Sequence, residues 1–455
     1  MEYKCYKCKT CGHIYNEFIG DPIFNIPPRT KFSDLPNNWF CSTCGDSRDL
    51  FDEYEYSQVE DIVDDSIHHS TTHTVIVGAG IAGWSLAERL RSHDLNMTIT
   101  IITLDDGDYY YKPSISESIS QRKTKTDLVL AHGHDRASLL NVNLYSKTEV
   151  LGINRISKQL ITSSGKYSYE KLVLSVGASP IKIFPKNIQP YIFFLNNLDQ
   201  YEALASNLLN NYKSILVVGA GLVGCEISDD LSRAGHKIWL HDISPRILSK
   251  IASEEVSSFI QNKFSKAGVK FILNCSILSI EKNKNNFLVN FSSGKKITYD
   301  IIISVVGLKP NIHLALNTEI ATGSGIKVDD YMMTSDPNIW AIGDCIEHSG
   351  ETAFFIDNIM HQVEIAANTI CGRFDKKYKN PDSVITMKAK TCSLEMKTKG
   401  INNHDYKKEI LSHNNDYYHI NYFIKNKPIG FYKCTAKTIT PNAQSSNIHQ
   451  EDFQC

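Results

Sequence analysis

The sequence predicts a small metal-bound domain followed by an α/β portion built on two parallel-sheet units, with a small α+β C-terminal domain behind them. Three observations carry that prediction. Five of the twelve cysteines in this 455-residue chain fall within the first 44 residues. A Gly-x-Gly-x-x-Gly motif occurs twice, each time between a β-branched run and a helical pattern. The last stretch, from about Asp382, mixes short strand-like runs with turns.

Bulk properties narrow the function. A length prior of roughly 150 residues per domain suggests about three domains. The chain has 48 Lys and Arg against 50 Asp and Glu, which leaves no electrostatic footprint for nucleic acid. Apolar runs such as ILVVGAGLVGC are too short and too glycine-rich to span a bilayer, and the first residues lack a secretory core, so the expectation is a cytoplasmic protein without a membrane span. Clustered cysteines in a reducing compartment argue for metal rather than disulfides.

The first element is CYKCKTCG, Cys5 to Gly12, with three cysteines in steps of three. A glycine follows Cys11 in CKTCG and another follows Cys44 in CSTCG, whereas Cys8 is followed by Lys9. Matched CxxCG arms select Cys8, Cys11, Cys41 and Cys44, because each loop must turn tightly and aim N–H groups at sulfur, and glycine permits the turn. Cys5 is then a spare thiol. Four thiolates fit zinc or a single iron, so ligand type leaves the metal open. The domain ends near Tyr54. Residues 55–72 carry five acids and no Lys or Arg, which reads as an acidic flexible linker.

The large portion opens with HTVIVGAGIAGWSLAERL from His73, and a similar unit, SILVVGAGLVGCEISDDL, starts at Ser214. Each is a strand, a glycine turn and a helix, followed by another apolar run, so both read as βαβ units with buried parallel strands. Gly78, Ala79, Gly80 and Gly83 would let a pyrophosphate approach the backbone at a helix N-terminus, with Asp105, or Asp106 in its place, accepting ribose hydroxyls at the next strand end. In the second copy Gly219, Gly221 and Gly224 have Asp242 at the corresponding position, which favours the free 2′-hydroxyl of NADH; Arg246 weakens that preference.

Residues 1 to 54 resemble rubredoxin along their whole length, through the 29 residues between Cys11 and Cys41, GHIYNEFIGDP after the first arm and FSDLPNNWFC before the second. That resemblance implies one iron and an aromatic core of Tyr6, Tyr15, Phe32, Trp39 and Phe51. Residues 73 to about 380 resemble the two-dinucleotide flavoproteins of the pyridine nucleotide-disulfide oxidoreductase fold, and within them the rubredoxin reductases, through LDDGDYYYKPSIS, LVLSVGASP and TSDPNIWAIGDC. It implies two Rossmann-like domains, the first for FAD and the inserted second for NAD. It further implies flavin contacts from Lys112, Pro113, Gly177, Gly343 and Asp344, with Val150 at the adenine, and places Glu226 and Gly307 on the nicotinamide side.

The resulting division is a rubredoxin-like iron domain at 1–54, a linker at 55–72, an FAD-binding domain at 73–190 and 312–382, an NAD-binding domain at 191–311, a C-terminal domain at 383–440 and a disordered tail at 441–455. Disulfide reductases of this fold carry redox cysteines on the first helix or in a CxxC of the second domain. IAGWSLAERLRSH has none, YKPSISES has none, and Cys225 has no nearby partner in sequence, so flavin must discharge elsewhere. Cys225, Cys275, Cys345 and Cys371 read as buried small residues.

Hydride delivers two electrons and a single iron accepts one; flavin joins the two chemistries. The expected activity is electron transfer from NADH through FAD to the fused Fe(Cys)4 centre and then to a separate acceptor protein: a hydroxylase, a peroxide or superoxide reductase, or a diiron flavoprotein. No acid-base residue is required. The competing expectations are a zinc-bound docking module on a reductase of another protein, and a flavoprotein NADH oxidase.

Overall fold

The computed structural model describes residues 4–9, 14–17, 20, 21, 24, 26, 27, 29–41, 47–54, 73–208, 212–381, 384–397 and 407–437. Contacts divide it into two units: the described residues of Met1–Tyr111, Val129–Ser179 and Lys309–Pro381 make the first, and those of Lys112–Leu128, Pro180–Leu308 and Asp382–Cys455 the second. The expected linker and tail lie outside the described residues. Among the described residues no helix is long and apolar enough to cross a membrane.

The first unit begins with a three-stranded antiparallel sheet, Ile14–Asn16, Cys5–Cys8 and Phe51–Tyr54 in spatial order. A sheet this small cannot bury enough apolar area alone, and aromatic rings compensate. Tyr6 stacks on Phe32 at 4.0 Å between centroids, and Trp39 meets Tyr15 at 5.4 Å and Phe51 at 5.2 Å. Buried polar groups are matched: the Trp39 indole donates to Asp21 (3.0 Å), the Tyr15 hydroxyl donates to the Thr30 carbonyl (2.9 Å), and Glu17 accepts the Lys4 and Phe32 amides.

Beside it in sequence comes a five-stranded parallel sheet in the order Ile339–Ala341, Lys171–Leu174, His73–Val77, Thr98–Ile102, Asn143–Tyr145. The β-branched run His73–Val77 is central because it is apolar on both faces, as a strand covered from both sides must be. Helix Ile81–His93 follows it directly, and helix Ile356–Ile370 packs against that helix.

The second unit repeats the plan with a four-stranded parallel sheet, Val269–Ile272, Lys237–His241, Ser214–Val218 and Ile301–Ser304, and a second glycine-loop helix, Leu222–Arg233. Residues 385–436 form a five-stranded antiparallel sheet among the described residues. The helix that completes this α+β arrangement is Glu254–Lys266 of the nucleotide-binding segment: Phe259 stacks on Tyr418, Lys263 pairs with Asp416 and Lys408 with Glu255.

Candidate cofactor sites and metal centre

Both glycine loops are open at the same motif position. At Gly83 an added Cβ would lie 2.0 Å from the Gly78 carbonyl oxygen, and at Gly224 one would lie 1.8 Å from that of Gly219, so these third glycines exist for helix-to-strand contact. At Gly80 and Gly221 an added Cβ meets nothing within 4 Å. Neither of these two has a positive φ, so folding alone does not demand glycine there. The open space lies at the N-terminus of a long helix, where unpaired N–H groups suit a pyrophosphate. The chain therefore fits a dinucleotide at each loop.

Other predicted positions sort by what the structure gives them. Asp105 accepts from the Thr103 hydroxyl (2.7 Å) and the Gly107 amide (3.0 Å), while Asp106 pairs with Lys147. Gly177 and Gly343 have φ of +64° and +83°, which explains glycine at both. The Gly343 amide donates to the buried side chain of Gln362 (2.7 Å), with Asp344 next in sequence. Val150 is buried at the start of strand Val150–Asn154. Lys112 and Pro113 open the 3-10 helix Lys112–Glu117, which belongs to the second unit.

In that second unit Asp242 accepts the Ala220 amide of the glycine loop (2.8 Å) and the Ser244 amide (2.8 Å), which fixes its carboxylate beside the loop. Arg246 is tied elsewhere, donating to the Ala252 carbonyl (2.8 Å). Gly307, at φ +122°, lies just past the end of strand Ile301–Ser304. Glu226 accepts from the Ser116 hydroxyl (2.7 Å) and the Lys388 amide (2.8 Å), and desolvation pushes its carboxyl above the usual range.

Of the four cysteines predicted to bind metal, Cys8 and Cys41 are buried in the apolar core of the small domain, while Cys11 and Cys44 lie outside the described residues. Two buried cysteines in one core suit a thiolate-bound metal. Cys5 is also buried, and burial pushes its thiol up. Cys225 and Cys345 are wholly buried, and burial pushes the Cys345 thiol up to about 12. The same apolar core continues onto Tyr111, with Ile81, Leu130 and Ile356 packed at its edge, all within the first unit.

Several participants were invisible to motif reading. Ser175 donates its hydroxyl to the carbonyls of Val77 (2.9 Å) and Gly78 (3.0 Å), locking the first glycine loop; it sits inside LVLSVGASP, but nothing local marks its role. Gln362 carries no local signal. Asp229 and Asp230 share a helix with Glu226, and their spacing of three and four residues was the available clue to a common face.

The chain belongs to the pyridine nucleotide-disulphide oxidoreductase family, whose model matches residues 72–369. The rubredoxin model matches residues 5–51, so the protein is an FAD-dependent oxidoreductase of NADH joined to a rubredoxin domain, the kind of domain that holds iron. The chain is similar to the nitric oxide reductase FlRd-NAD(+) reductase of Pectobacterium atrosepticum (33% identity, covering 71% of this chain and 84% of the relative). It is also similar to the rubredoxin-NAD(+) reductase of Acinetobacter baylyi (31% identity, 66% and 78%). Among solved structures, NADH:rubredoxin oxidoreductase from Clostridium acetobutylicum matches with a TM-score of 0.66 at 26% identity, covering 80% of this chain and 92% of that one.

Proposed function

We propose that the protein loads its own rubredoxin iron: NADH reduces FAD, and electrons pass singly to the Cys8, Cys11, Cys41 and Cys44 centre and then to a separate acceptor protein. One observation carries this reading. The apolar core around Cys8 and Cys41 continues onto Tyr111 and is flanked by Ile81. Tyr111 immediately precedes Lys112, and Ile81 immediately follows Gly80, so the small domain packs on residues next in sequence to the proposed flavin contacts. FAD, when bound, supplies the conversion between paired and single electrons.

The residues divide the work. Gly78, Ala79, Gly80 and Gly83 hold the FAD pyrophosphate, Asp105 its ribose, Val150 borders the adenine, and Lys112, Pro113, Gly177, Gly343 and Asp344 fix the rest of the cofactor. Gly219, Gly221, Gly224 and Gly307 accommodate NADH, Asp242 reads its ribose, and Glu226 orients the nicotinamide. Arg246 donates to the Ala252 carbonyl, which supports NADH over NADPH. The similarity to a nitric oxide reductase FlRd-NAD(+) reductase and a rubredoxin-NAD(+) reductase supports a redox protein as the acceptor.

Anaerobic stopped-flow mixing with NADH tests the sequence of events. The flavin band should bleach first and the ferric-thiolate band second. Iron that stays oxidised after the flavin is reduced, or zinc in place of iron on metal analysis, overturns the proposal and favours a docking module.

A further inference from the structure

The helix Leu222–Arg233 carries three carboxylates three and four residues apart, Glu226, Asp229 and Asp230, and each accepts hydrogen bonds from distant segments. Glu226 takes the Ser116 hydroxyl and the Lys388 amide, as above. Asp229 accepts the amides of Lys390 (2.7 Å) and Thr391 (3.1 Å). Asp230 accepts the amides of Ile119 (2.7 Å) and Ser120 (3.1 Å) with one oxygen and the Ser120 hydroxyl with the other. Asp229 and Asp230 are almost completely buried, at 1% and 2% exposure, which an unliganded carboxylate would not tolerate.

The segment held this way is the continuation of the Lys112–Pro113 turn. Ser116 also donates to the Pro113 carbonyl (3.0 Å), and Ser118 donates to the Ser114 carbonyl (2.6 Å), so Asp230 and Glu226 grip a hydrogen-bonded unit that starts at the flavin contacts. Lys390 reaches the same unit through Glu117 (2.7 Å). All of these groups lie in the second unit.

We propose that Asp230 is a positioning residue for the flavin: by accepting two amides and a hydroxyl from residues 119 and 120 it fixes the segment carrying Lys112 and Pro113, and so ties the nicotinamide-binding helix to the flavin-facing turn. The proposal rests on the reading of Lys112 and Pro113 as flavin contacts. It involves no electron or proton transfer at Asp230. Asp230→Asn preserves the geometry, since its amide oxygen can take both N–H donors while its NH2 group meets the Ser120 oxygen as a donor. Asp230→Ala leaves all three donors unmatched.

The test uses the full chain with both variants. Hydrogen exchange on the flavin-free protein should show the Ile119 and Ser120 amides exchanging at least about tenfold faster in Asp230→Ala and near the wild-type rate in Asp230→Asn. In the flavin-loaded protein, reduction by saturating NADH should slow about tenfold in Asp230→Ala with half-saturation changed less than about twofold, and Asp230→Asn should restore it. Unchanged exchange in Asp230→Ala overturns the proposal, as does fast exchange with wild-type flavin reduction. If Asp230→Ala does not fold, Ser120→Ala removes only the hydroxyl donor and keeps both amide bonds to the other Asp230 oxygen, and about a threefold slowing is expected; no slowing counts against the proposal. Lys112→Ala separates the two possible failures: an unshifted flavin midpoint potential there removes the underlying reading, whereas a shifted potential with wild-type reduction in Asp230→Ala removes the positioning role alone.

Discussion

At the scale of single residues, the glycine loops separate what folding needs from what the ligand needs. Gly83→Ala pushes a methyl into the Gly78 carbonyl, so it should destabilise the flavin-free protein by about 1–3 kcal/mol, measured by chemical denaturation. Gly80→Ala clashes with nothing, so its flavin-free stability should stay within about 0.5 kcal/mol of wild type while FAD affinity falls, by about 100-fold in a fluorescence titration. Equal stability losses in the two variants would mean that the open space at Gly80 is not kept for a ligand. Asp230 carries a pH signature of its own. Burial holds its carboxyl at about 6 against an ordinary 3.8, so the cost of ionising it in the folded state is absent below about pH 4 and complete above about pH 6. Relative to Asp230→Asn, the wild type should lose stability as pH rises through that window, by at most about 3 kcal/mol, and a pH-independent difference would contradict the assignment.

Single elements matter most in the small domain. Its three strands are few, so burial rests on the aromatic cluster, and a metal bound to the cysteines would add a further constraint. Replacing Cys41 by Ser should therefore remove metal and unfold residues 4–54, seen as loss of Trp39 near-ultraviolet dichroism, while NADH reduction of the flavin proceeds at the wild-type rate. A slowed first step would show that the small domain supports the flavin site. The two βαβ units of the large portion were legible because a glycine turn between a strand and a helix imposes a fixed local spacing. The C-terminal sheet was legible only as short strands; its covering helix, Glu254–Lys266, lies more than a hundred residues upstream, and local composition does not record such a partnership.

For the molecule as a whole, the question is how the iron domain meets the flavin. Residues 1–72 hold 13 acidic and 6 basic side chains, net −7, and the remainder is net +5. Both domains are carried on one chain, so their encounter is intramolecular and does not depend on protein concentration. The second kinetic phase should then be independent of protein concentration and only weakly sensitive to salt, whereas mixing a separated rubredoxin domain with the remainder should be strongly salt-dependent. Leu130→Asp, at the edge of the shared apolar cluster, should slow that second phase about tenfold and leave the first unchanged. A second phase untouched by Leu130→Asp would move the docking face elsewhere.

The sequence by itself determined the class of protein, through four cysteines in two CxxCG arms, two glycine fingerprints with acidic residues at the following strand ends, and the absence of a cysteine pair beside the first glycine motif. Each of these is a short pattern whose spacing is set by one turn of backbone around a metal or a phosphate, so it survives in the linear string. Only the tertiary structure decided that Asp229 and Asp230 serve segments more than a hundred residues away, that Arg246 is occupied, and that Tyr111 and Leu130 share a core with Cys8 and Cys41. Those contacts depend on where the chain returns to after long excursions, and no local spacing rule constrains that.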